Sequence, residues 1–141
     1  MKKLTFALLA GLVVLPVTGC QTDSRQQVLL TDKTQVALRS VQSRMFETDN
    51  TKRTVRTVIA TLQDLGFTID RIDQKLGLIS ANKAAAAMVK MTVTVRKRGQ
   101  DQVIVRASAQ RNMKAISDAQ TYQQFFNSLS QAMFLEAHDV G

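Results

Sequence analysis

Apolar and polar positions divide the chain into three regimes. Leu4 to Val17 is apolar apart from Thr5, Gly11 and Pro16. Gln21 to Gln35 is polar except for Val28-Leu29-Leu30. From Val36 onward, apolar residues recur with the periods of strands and helices, two for a half-buried strand and three to four for an amphipathic helix. The first regime is too short to span a hydrocarbon layer of about 30 Å, which takes roughly 20 residues. The second has the composition of a weakly ordered tether. The third holds the folded domain.

Within that domain, Val36 to Thr48 is rich in β-formers and predicts a first strand. Val41, Ser43 and Met45 share one of its faces and Phe46 falls on the other, so a bulge near Arg44 to Phe46 is expected. Asp49-Asn50 supplies a helix N-cap, and Val55, Val58, Ile59, Leu62 and Leu65 form one face of a helix that Gly66 stops. Phe67 to Ile72 reads as a strand with Phe67, Ile69 and Ile72 inward, and Asp73 to Gly77 as a turn. Leu78 to Lys83 returns as a strand, and Ala84 to Ala87 links it onward. Val89, Met91, Val93 and Val95, then Val103, Val105, Ala107 and Ala109, alternate with polar residues as the arms of a hairpin. Pairing Val95 with Val103 keeps the apolar residues on one side, leaves a short loop containing Gly99 and sets Lys97 opposite Asp101. Ser117-Asp118 caps a last helix, striped with Tyr122, Phe125, Phe126, Leu129 and Met133.

The order β-α-β-β-β-β-α predicts an α+β two-layer domain, an antiparallel sheet with two helices on one face. Residues 1–19 read as a signal peptide, 20–35 as a tether and 36–141 as a single domain.

Charge and cysteine usage refine this picture. The formal charge is +8; removing residues 1–19 takes away Lys2 and Lys3, leaving 17 Lys and Arg against 11 acids, or +6. Such a surplus suits anionic partners: acidic protein faces, lipid head groups, cell-wall polymers or nucleic acid. Export makes nucleic acid the least expected of these. Lys2-Lys3, the apolar run and small residues ahead of Cys20 are the parts of a secretory signal.

Val17-Thr18-Gly19-Cys20 resembles the lipobox of bacterial lipoproteins: an aliphatic residue, two small residues, then cysteine. The resemblance implies that the Cys20 thiol carries diacylglycerol, that cleavage falls just before it, and that the new amino terminus is acylated. Two or more acyl chains make a stable anchor. Gln21, where an aspartate would signal retention in the inner membrane, implies the outer membrane, with the domain facing the periplasm. Leu62-Gln-Asp-Leu-Gly-Phe-Thr-Ile-Asp followed by Leu76-Gly-Leu-Ile-Ser-Ala resembles the repeated helix-grip domains of a lipoprotein component of the outer-membrane β-barrel assembly machinery. That similarity covers residues 50–83 and bears on fold, not on chemistry.

No catalytic constellation emerges, and no enzyme activity or cofactor is expected. Asp64, Asp70 and Asp73 read as solvated acids, His138 has no companion ligands for a metal, and no serine sits in a nucleophile elbow. The basic residues are the remaining candidates for function. Lys90, Arg96 and Arg106, with Lys97 and Arg98 nearby, decorate the hairpin's outward side, where Ile104 adds an apolar contact. Lys52, Arg53 and Arg56 sit at a helix start, where cations oppose the macrodipole. Lys90, Arg96, Arg106, Arg53 and Arg56 are therefore candidate partner-binding residues. The resulting expectation is a lipid-anchored accessory subunit that binds another envelope protein; the alternative is a binder of an anionic envelope polymer or lipid.

Overall fold

The computed structural model describes residues 34–138. The expected signal segment, Cys20 and most of the expected tether lie outside the described residues. The element order is α1 (34–41), β1 (Ser43–Glu47), α2 (Thr51–Asp64), β2 (Thr68–Asp73), β3 (Leu78–Lys83), β4 (Val89–Arg98), β5 (Gln102–Arg111), β6 (Lys114–Ala115) and α3 (Ala119–His138). The strands form one antiparallel sheet in the order β1-β5-β4-β3-β2, with β6 beside β1 on the flank of β5. The α+β class and the helices on one face are as the residue pattern predicts; α1 and β6 are additional.

The first strand is shorter than Val36 to Thr48. Residues 34–41 are helical, with Leu38 and Val41, three apart, packed against the core. Only Ser43–Glu47 pairs with β5, and it does so without a bulge. Phe46 faces inward opposite Val103, while Met45 stands outside opposite Ile104.

Local chemistry fixes α2. The Asn50 side chain accepts the Arg53 N–H at 2.9 Å, capping the start. At the far end Gly66, at φ 82°, lets its own N–H reach the Gln63 carbonyl and the Phe67 N–H reach that of Leu62, each at 2.9 Å. This paired closure needs a left-handed residue. Gly77 answers a second constraint: at φ 61°, a Cβ there would collide with the Val95 carbonyl.

The core lies between sheet and helices. Val58 and Leu62 of α2, and Tyr122, Phe125, Phe126 and Leu129 of α3, close over Ile79, Ala81, Met91, Val93, Val103, Val105 and Ala107. The Phe125 and Phe126 rings meet edge-on at 5.0 Å and 62°, a favoured aromatic arrangement. Arg44 joins β1 to α3: its Nη1 donates to the Phe126 carbonyl and to Ser130 Oγ, both at 3.0 Å, and its guanidinium lies 5.3 Å from the Phe126 ring centre.

The β4–β5 register departs from expectation by two residues. Val95 pairs with Val105, not Val103, and Lys97 faces Val103 rather than Asp101. The loop is Gly99-Gln100-Asp101. A two-residue slip leaves every side chain on the same face, so alternation alone cannot distinguish the two registers.

Candidate functional site

The helix layer covers one face of the sheet, and the other carries the candidate basic residues. Register places Arg96 opposite Ile104, and Thr94 opposite Arg106, which in turn faces Ser43. Arg96 and Arg106 are therefore diagonal neighbours, roughly 7–8 Å apart. With Val95 opposite Val103 they would stand farther apart, so the observed register brings the pair together. Thr94, Arg96, Ile104 and Arg106 line a shallow depression of about 450 Å³. Both arginines are exposed. Arg106 Nε lies 3.3 Å from Ser43 Oγ, and Arg98 Nη1 lies 3.2 Å from Met45 Sδ. These are neutral partners, and among the described residues no carboxylate forms an ion pair with either guanidinium, which leaves both available to a carboxylate or phosphate.

Arg98 faces the same side as Arg96, opposite Gln102, whereas Lys97 belongs to the helix side. Lys90 shares the outer face but not the patch. It pairs with Gln110, six positions from Arg96 along β4, or roughly 20 Å. Arg71 joins the outer face unforeseen. Ile69 pairs with inward Ala81, and strict alternation would turn Arg71 inward too. A bulge at Asp70 sets Arg71 opposite Ser80 instead, and brings Ile72 to the same side as Ile69. A row of short polar side chains, Ser80, Thr92 and Ser108, then crosses the sheet from Arg71.

Arg53 and Arg56 lie in the helix layer, away from this face. Arg53 Nε pairs with Glu136 Oε2 at 3.3 Å, and Thr57 Oγ1 donates to the same oxygen at 2.7 Å. Glu136 thus compensates a cation that the α2 dipole disfavours, and ties α2 to α3. Arg56 is exposed beside a groove of about 300 Å³ that also involves Lys52, Val55 and Ile59.

The described residues contain no group of three or more His, Cys, Asp or Glu side chains placed to hold a metal ion. No helix among them is long and apolar enough to cross a membrane. The Asp118 carboxyl caps α3, and its pKa is lowered. The Gln120 N–H holds its carboxyl below the usual value of 3.8; desolvation opposes this, and the Thr121 N–H and hydroxyl and the charge of Arg111 reinforce it. This is capping chemistry, not a catalytic signature. Comparison with protein-family models finds no match, and comparison with curated proteins finds none either.

Proposed function

We propose that the chain is an outer-membrane-anchored lipoprotein, held by lipid on Cys20 and facing the periplasm. There it acts without catalysis as a protein-binding accessory subunit of an envelope assembly, secretion or transport complex. The observation that carries the binding role is the uncovered sheet face, where Arg96, Arg98 and Arg106 surround Thr94 and Ile104 with no carboxylate bonded to them among the described residues. Planar guanidinium groups set diagonally on a rigid sheet suit carboxylates on an acidic partner, and Ile104 supplies apolar contact between them. The alternative, an anionic envelope polymer or lipid, draws on the same arginines, because the fork that fits a carboxylate also fits a phosphate.

The test is recovery of partner protein from detergent-solubilised membranes at low and high salt, for wild type and for Arg96→Glu with Arg106→Glu. Wild-type recovery should fall with salt, since charge contacts are screened over about 8 Å at physiological ionic strength. The double reversal should abolish recovery while changing stability by no more than about 0.5 kcal/mol, as is usual for exposed positions. Equal recovery in all four conditions places the contact elsewhere, with Arg53 and Arg56 next to be examined. Binding of the protein to isolated cell wall or anionic vesicles, lost on the double reversal and without a recovered protein, favours the alternative.

A further inference from the structure

β5 and β6 are joined by Asn112-Met113, with φ of 47° and 67°. Two consecutive left-handed residues make the hairpin turn whose twist suits the flanking strands, and glycine is the residue its second position favours. Here that position holds methionine, with 94% of its surface exposed. An apolar side chain is thus held in water by a backbone conformation that side chains disfavour. Such an outlier at an exposed tip points to a use for the side chain rather than to folding.

The neighbourhood of Met113 supports that use. The Asn112 N–H donates to the Met88 carbonyl at 3.1 Å, and Met88 is itself 54% exposed. Two methionines therefore share one protruding end of the sheet. Exposed cations flank them on both faces: Lys90 on the outer side, and Arg111 and Lys114, paired across the turn, on the helix side. Asp118 is near enough to Arg111 for their charges to interact, and it is engaged in capping α3. The residue leading into β1 lies toward this end as well. The Gln42 carbonyl accepts the Ala107 N–H on the flank of β5, three residues from the Gln110–Ala115 pair, or roughly 10 Å.

We propose that this tip docks on an anionic bilayer surface, with Met88 and Met113 entering the interface and Lys90, Arg111 and Lys114 meeting lipid phosphates. A protruding apolar pair ringed by cations is complementary to a flat anionic surface with hydrocarbon beneath it. A protein pocket would have to enclose the pair from several sides. The contact is separate from the Arg96–Arg106 face. It rests on the lipid-anchor reading only for bringing the tip to the membrane.

The chain has no tryptophan, so Met113→Trp is a single reporter. The full acylated protein is reconstituted in vesicles of phosphatidylglycerol or phosphatidylcholine containing brominated lipid. Flotation with phosphatidylcholine vesicles reads the anchor, and quenching reads the tip. Tryptophan at 113 should be blue-shifted and quenched in phosphatidylglycerol, and several-fold less in phosphatidylcholine. The Gln100→Trp reporter, at the opposite hairpin end, should stay water-like in both. Adding Lys90→Gln and Lys114→Gln should lower the docked-to-free ratio about 25-fold, at about five-fold per cation. Anchored protein whose position-113 reporter is quenched no more than the position-100 reporter overturns the proposal, as does equal quenching in the two lipids. Shielding of the reporter by a co-purified protein but not by lipid overturns it too. If Met113→Trp does not fold, Met88→Trp gives the same readout. Failure to float with phosphatidylcholine vesicles counts against the anchor alone.

Discussion

One hydroxyl joins four segments of the fold. Tyr122 Oη is buried; it donates to the Ile116 carbonyl at 2.7 Å and accepts the Ala109 N–H at 3.1 Å and Gln42 Nε2–H at 3.0 Å. It thereby ties α3 to β5, to the segment after β6 and to the residue leading into β1. Tyr122→Phe preserves the ring packing and leaves those groups without this partner, the Ala109 N–H among them. Stranding buried polar groups costs about 1–3 kcal/mol, so the variant should unfold at clearly lower denaturant with an unchanged slope. A change of less than a few tenths would mean that water takes over these bonds. The apolar stripe of α3 makes Tyr122 legible as a core residue. Its second role is not legible, because hydroxyl partners come from segments up to 80 positions away.

At the scale of elements, α3 starts on a charged cap, and that cap makes part of the stability depend on pH. The Asp118 carboxyl is lowered from its usual value of 3.8 by the Gln120 N–H and then by Thr121. The unfolded chain therefore binds this proton more readily than the folded one. The resulting stabilisation is present above the ordinary carboxylate range and is lost as pH falls through the depressed folded value. Asp118→Asn keeps an oxygen to cap the helix and removes the titration. Its melting temperature should fall less steeply than that of wild type below pH 4, with α3 retained by circular dichroism. Identical acid limbs would assign the acid sensitivity to other carboxylates. Elements with strong local signals are those legible beforehand: the Asn50 and Asp118 caps, the Gly66 stop and the long alternation of β4 and β5. Residues 36–41 mislead because Val36 and Val41 suit a strand, while Leu38 and Val41, three apart, show the helical spacing only once. β6 escapes notice because two residues show no alternation and its turn has methionine where glycine is usual. The outer arginines are legible as a set, but their grouping depends on register and on the Asp70 bulge, which tertiary pairing decides.

At the scale of the whole molecule, the proposed anchor and the folded core belong to different parts of the chain. The core is built from residues 55–129, and helices cover one sheet face while the other carries basic and short polar side chains together with Met45, Glu47 and Ile104. Cys20 stands 14 positions before the first described residue. Those 14 positions can span at most about 50 Å, enough for an anchored domain to present either its arginine face or its methionine tip. We therefore expect Cys20→Ser to separate the two properties. The variant should lose incorporation of labelled palmitate and move from the membrane to the soluble envelope fraction. Its thermal midpoint should match that of wild type after detergent extraction, because the substitution removes lipid and leaves the residue 55–129 core as it is. Persistent label in the variant would refute lipidation at Cys20. A lowered midpoint with the label gone would show that the acylated terminus packs on the domain, making the tether part of the fold.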